Sequence, residues 1–100
     1  MQYSEVLSGT ISITGTIIFT GTVGKATIYS LRFNNPAAYD ITVSRYNDSD
    51  GSTLDLYNLS LAAGDIVSDG YQYSLNENDY IIITCSVLGT VYTAMVNYAT

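Results

Sequence analysis

Tyr46 to Asp55 reads YNDSDGSTLD. Three aspartates, an asparagine and two serines crowd around Gly51, a density of oxygen ligands that invites comparison with a calcium loop. An EF-hand loop runs D-x-[DN]-x-[DN]-G-x5-E between two helices. With Gly51 in the glycine slot, Asp48 and Asp50 take the two preceding ligand positions, but the first ligand falls on Tyr46 and the final bidentate one on Tyr57. Neither phenol can replace a carboxylate there, and the flanks, TVSRY and TLDLYNL, have strand composition. Asp-Gly preceded by Asn, Asp and Ser is a hairpin tip, where glycine accepts positive φ and Asx side chains satisfy the turn amides. The stretch is expected to join two antiparallel strands, with a weak calcium site at Asp48 and Asp50 as its alternative use.

Outward from the tip the same grammar repeats. β-Branched and aromatic residues come in short runs punctuated by Gly, Asn and Asp, and no capped i, i+3, i+4, i+7 apolar pattern is found. Gly9 to Thr14 and Thr16 to Thr20 form a first arm. Strands follow over Lys25 to Phe33, Tyr39 to Tyr46, Thr53 to Leu61 (bent near Asn58), Ile66 to Ser68, Tyr71 to Leu75, Tyr80 to Val87 and Val91 to Tyr98. Alternation puts Tyr29, Leu31 and Phe33 on one face, opposite Ser30 and Arg32. It turns Ile41 and Val43 inward, and Ile81, Ile83, Cys85 and Val87 to one side. Asn34-Asn35-Pro36, Ala62 to Asp65, Asn76 to Asp79 and Gly89-Thr90 are turns. About eight strands in 100 residues predict an all-β, two-layer antiparallel β-sandwich, one domain spanning 1–100, with 1–8 a flexible N-terminal arm that orders on docking. GTISIT, GTIIFT and GTVGKA share a six-residue period, but a β-helix needs about three full coils and the third copy has already degenerated.

Composition narrows the function. Charged residues are 12% of the chain, about half the usual share, and the net charge is −6 with only Lys25, Arg32 and Arg45 positive. Three scattered cations cannot grip a nucleic-acid backbone or an anionic bilayer, so neither is an expected partner. A surface whose polarity comes from Ser, Thr, Asn and Tyr suits a protein packed against neighbours. Cys85 is the sole cysteine, which rules out an intrachain disulfide; within IIITCSV it reads as a buried structural thiol. MQYSEVLSG has no basic or apolar leader segment, and no apolar run approaches a membrane span.

Catalytic chemistry is thin. There is no histidine, hence no Ser-His or Cys-His pair and no imidazole metal ligand. No helix is expected whose N-terminus could hold phosphate. Glu77 and Asp79 sit two apart in a turn and read as solvated charges rather than a glycosidase dyad. Asn47-Asp48-Ser49 and Asn58-Leu59-Ser60 match the glycosylation sequon by chance. No enzyme and no cofactor are expected. Of ten tyrosines, most line the sheets, while Tyr71 and Tyr73, alternating with Gln72 in DGYQYSL, are the candidate exposed interface pair.

The order of elements resembles the small β-sandwich virion proteins of tailed bacteriophages. GTVGKATIYSLRFNN, DITVSRY, the acidic tip, LYNLSLAAGDIVSDG, YSLNENDYIIITCSVLG and VYTAMVNY follow the family's sequence of turns over about residues 16–98. Leu61-Ala62-Ala63-Gly64-Asp65 matches its L-x-A-G-[DE] turn. Leu75 to Ile81 matches L-x-x-G-D-x-I, with Asn78 for the glycine, a residue that also adopts the left-handed conformation. Thr22-Val23-Gly24-Lys25 lacks the proline of the family's P-x-G-K-like turn. The resemblance implies an immunoglobulin-like or jelly-roll sandwich without an active site. Family members decorate capsids, join head to tail, or form tail and fibre modules. The implied role is a non-enzymatic structural protein of the virion, first as an auxiliary or decoration protein on the shell, then at neck or tail. Its partners would be the major capsid or other virion structural proteins, together with copies of itself as a homo-oligomer on the particle. The alternative is a carbohydrate- or receptor-binding module of a fibre or adhesin, with Tyr71 and Tyr73 as its platform.

Overall fold

The structure, a computed structural model, describes residues 2–21 and 24–99, and at its centre YNDSDGSTLD turns the chain. Gly51 N–H donates to Asn47 O at 2.9 Å, and Gly51 takes φ 71°. Asn47 pairs with Ser52, and from there pairing runs outward along the whole chain. β4 (Tyr39–Asn47) pairs with β5 (Ser52–Leu61), β3 (Ala26–Asn34) with β6 (Ile66–Leu75), β2 (Thr16–Thr20) with β7 (Tyr80–Cys85) and β1 (Gln2–Thr10) with β8 (Val91–Ala99). All four pairings are antiparallel, so the chain is one long hairpin ribbon folded about its midpoint. Rolling that ribbon brings β8 against β3 and β7 against β4.

The result is two four-stranded sheets, ordered β1-β8-β3-β6 and β2-β7-β4-β5. This strand order is that of a double Greek-key jelly roll. It settles the choice left open by the sequence, because an immunoglobulin sandwich divides its strands ABED against CFG. No helix forms among the described residues.

The core lies between the four central strands. Ile28, Leu31 and Phe33 of β3 and Val96 of β8 face Ile41 and Val43 of β4 and Ile81 and Ile83 of β7, each at most 1% exposed. The inward alternation expected for β4 and for Ile81, Ile83 and Cys85 is present; Val87 lies past the end of β7, half-buried against the core. Cys85 is buried, as expected.

Four expectations are corrected. The first strand runs Gln2–Thr10, so residues 2–8 of the segment 1–8 expected as an arm are paired with β8. Residues 11–15 then form a connection whose Ile11 is buried and donates its N–H to Thr90 O at 2.8 Å, while Gly15 takes φ 117°. Glycines 15 and 21 fall outside strands while Gly9 pairs with Tyr92 within β1, so the six-residue period marks no repeated structural unit. Ile66–Leu75 is one strand rather than two. Tyr29 does not share a face with Leu31 and Phe33, because Ser30, at φ 54°, forms a bulge that flips the parity of β3. The bend expected near Asn58 is a bulge at Leu56, between the pairs Val43–Tyr57 and Ser44–Asp55.

Candidate interaction surface

Each end of the sandwich is closed by a buried polar side chain. At the tip end this is Asp79, 1% exposed. Its Oδ1 accepts the Asp48 N–H at 2.9 Å, and its Oδ2 accepts the Asn76 N–H at 3.1 Å and the Arg45 guanidinium at 3.0 Å. Burial alone would push this carboxyl up, but the bonds from Asp48, Arg45 and Asn76 and the Arg45 charge outweigh it, and the pKa is lowered. The sequence reading of Glu77 and Asp79 as two solvated charges is therefore corrected for Asp79. The turn folds its last residue inward because Asn78 takes φ 68°, the left-handed conformation expected of it. The N-E-N-D spacing marks the turn, but its tertiary partners, Arg45 and Asp48, are invisible locally.

At the hairpin tip, Asp50 Oδ1 accepts the Ser52 N–H at 2.9 Å and the Ser52 hydroxyl at 2.6 Å. Those two bonds hold the Asp50 carboxyl below its usual range. Asp50 acts here as an Asx turn residue, and Asp48 is tied to Asp79 through its backbone. Among the described residues, no group of three or more His, Cys, Asp or Glu gathers where a metal could be held.

At the opposite end the buried residue is Asn35. Its amide donates to Leu88 O and Thr90 Oγ1, and its Oδ1 accepts the Ala37 N–H. Asn35 O also accepts the Gly64 N–H, which joins the β5–β6 turn to the knot. Sequence reasoning took Asn35 only as a strand breaker.

These clasped ends leave the two sheet faces and the edges as contact surfaces. On the outer face of β1-β8-β3-β6, cross-strand rows run Val6–Met95–Tyr29–Gln72 and Thr10–Val91–Asn34–Ile66. Between them lies Ser8–Thr93–Arg32, and Arg32 is the sole charge among the described residues of this face. Val6 and Ile66 are each 69% exposed. Arg32, Asn34, Ile66, Val91 and Thr93 line a shallow groove at one corner. The opposite face, β2-β7-β4-β5, carries Asp40 and Asp55, with Asp55 accepting the Ser44 hydroxyl at 2.6 Å. It also carries a stacked pair, Tyr46 on Tyr80, with ring centroids 4.6 Å apart and 15° between planes.

The candidate pair Tyr71 and Tyr73 sits on the edge strand β6. Tyr71 is 70% exposed, but Tyr73 is half-buried, since it pairs with inward-facing Ile28 and packs against the core. The expectation that both are exposed is corrected for Tyr73. Their rings are 6.4 Å apart and tilted by 47°.

No protein-family model matches the sequence, and no curated protein does. Solved structures do share the fold. A protein of Bacillus endospore appendages, which form disulfide-linked pili, superposes with a TM-score of 0.61 at 13% identity, over 99% of this chain and 87% of that one. A pentameric capsid protein from metagenomic phage sequences gives 0.53 at 13% identity, over 93% of this chain and 60% of that one. The chain thus spans about three fifths of the capsid chain's length. At such identity the likeness is one of architecture, and the chain is an eight-stranded jelly roll of the kind found in a phage capsid protein and in a bacterial appendage.

Proposed function

We propose that this chain is a non-enzymatic structural protein of a phage virion, an auxiliary or decoration protein that binds the capsid shell. The observation that carries this reading is the outer face of β1-β8-β3-β6. On a chain of net charge −6 it presents hydroxyls, amides and exposed apolar side chains with Arg32 alone charged among its described residues. Such a face loses little hydration energy when covered, which suits a protein held against a larger surface. The fold shared with a capsid protein and a pilus protein supports the same role. Binding alone would be the mechanism, with the virion as the location, shell proteins as partners and neck or tail as the next position. A sugar-stacking module is less well supported, because the Tyr71 and Tyr73 rings are not coplanar and Tyr73 is half-buried. Light scattering coupled to size-exclusion chromatography, with candidate shell proteins and with or without calcium, tests the proposal. Co-elution with a shell protein, unchanged by calcium, is the expected result. A chain that ignores every shell protein but gains thermal stability from calcium would overturn it.

A further inference from the structure

The two outer faces complement each other. The face of β1-β8-β3-β6 carries Arg32 as its one charge among the described residues, and the face of β2-β7-β4-β5 carries Asp40 and Asp55. Arg32 lies on β3 and Asp40 on β4, and each strand holds the third place in its sheet. Both residues flank the turn at 35–38 that joins these strands, one just before it and one just after. A second copy shifted along the sheet normal therefore lays the Arg32 of one copy over the Asp40 of the next.

We propose that this chain stacks face to back on copies of itself, with Arg32 of one copy against the Asp40 and Asp55 face of its neighbour. The contact is heterologous, so it builds a ring if the rotation closes and an open stack if it does not. A like-faced pairing would instead set Arg32 against Arg32, or Asp40 and Asp55 against themselves, which is disfavoured. The smaller face, β2-β7-β4-β5, has strands of 5, 6, 9 and 10 residues, and at ~3.4 Å per residue and about 4.8 Å between strands it covers roughly 500 Å². Covering it from both sides buries roughly 1,000 Å² in total, at the low end of specific interfaces. A single contact is then weak and reversible, and it gains strength by repetition along an array. Stacking uses the same β1-β8-β3-β6 face as the shell reading, so within a stack only the end copy keeps that face open to a shell.

Sedimentation velocity over a range of concentrations, at about 20 mM and about 0.5 M salt, provides the test. At low salt the mean mass should rise with concentration, and at high salt it should fall. Arg32→Glu and Asp40→Lys should each weaken association by about tenfold or more. The double variant carrying both changes should regain it, because its faces are again opposite in sign. Both side chains are exposed, so unchanged thermal melts will show that the variants fold. Where stacks form, their repeat should be about 20 Å, two sheet spacings of ~10 Å. Three results would overturn the proposal: a monomer at every concentration in low salt, a mass indifferent to Arg32→Glu, or a double variant that stays dissociated. Self-association is measured on the chain alone and shell co-elution on the native chain, so either reading can fail without the other.

Discussion

Asp79 shows how one side chain organises an end of the molecule. A buried carboxylate is tolerated only when its oxygens are met by donors, and here three donors from two loops and a strand meet them. Asp79→Ala would leave the Arg45 guanidinium and two amides without their acceptor. We expect it to cost about 3–5 kcal/mol in urea unfolding. Asp79→Asn keeps the shape but loses the charge, and should cost about 1.5–3 kcal/mol. The folded pKa of Asp79 lies below its unfolded value. Its contribution is therefore fully present above the unfolded carboxyl range near ~3.9 and is lost as pH falls through the lower folded value. Stability curves of the native chain and Asp79→Asn should converge in acid, and a gap that persists there would contradict this account. Gly21 closes the same end from the other side. Its N–H donates to Asp79 O at 2.7 Å and its carbonyl accepts the Asn78 N–H at 3.0 Å. A Cβ at Gly21 would overlap the Asn76 carbonyl oxygen, so one backbone must retreat. Gly21→Ala should cost about 1–3 kcal/mol, read by calorimetry as a Tm lowered by several degrees.

At the level of the element, β3 is the instructive case. Its residues are good strand formers, and a regular alternation assigns Tyr29 to the core. The strand instead carries Ser30 in the left-handed region, and two residues, Ser30 and Leu31, stand opposite Ala94. Parity flips there, so that Ile28 and Leu31 both face inward and Tyr29 joins Met95 on the outer face. Serine gives no local sign of this, because Asn and Gly are the residues that usually announce positive φ. Ser30→Gly should be neutral or stabilising by up to ~1 kcal/mol, whereas Ser30→Val should destabilise by about 1–2 kcal/mol, compared by urea midpoints. A reversed order would show that the bulge is set by something other than backbone strain at this residue. The turns, by contrast, were legible: Gly51, Gly64, Asn78 and Gly89 all take positive φ where glycine or asparagine interrupts a strand pattern.

For the whole molecule, the nested pairing makes a prediction about the order of events. β4 and β5 meet across a short tip, while β1 and β8 join opposite ends of the chain. Loop closure costs more for the longer span, so the central hairpin should form early and the outer pair late. Val43→Ala, in the buried centre of β4, should chiefly slow folding, and Leu7→Ala, half-buried on β1, should chiefly speed unfolding. Stopped-flow chevrons measure both, and equal effects on the folding limb would argue for a diffuse transition state.

What local chemistry determined is considerable: the all-β class, the tip at Asp48 to Gly51, the inward sets of β4 and β7, and the buried thiol all follow from period-two alternation and turn residues. What only tertiary structure decided is which strands are neighbours. Hydrophobic alternation says which side of a strand faces the core, yet it is nearly the same for an immunoglobulin sandwich and a jelly roll, and so it cannot choose between them. The roll is chosen by long-range pairing of β8 with β3 and β7 with β4. The same pairing turns Asp79 and Asn35 from turn residues into buried clasps, makes a strand of residues 2–10, and sets Arg32 and the Asp40–Asp55 pair on opposite faces. Those properties depend on contacts between residues distant in the chain, whose energies no local window contains.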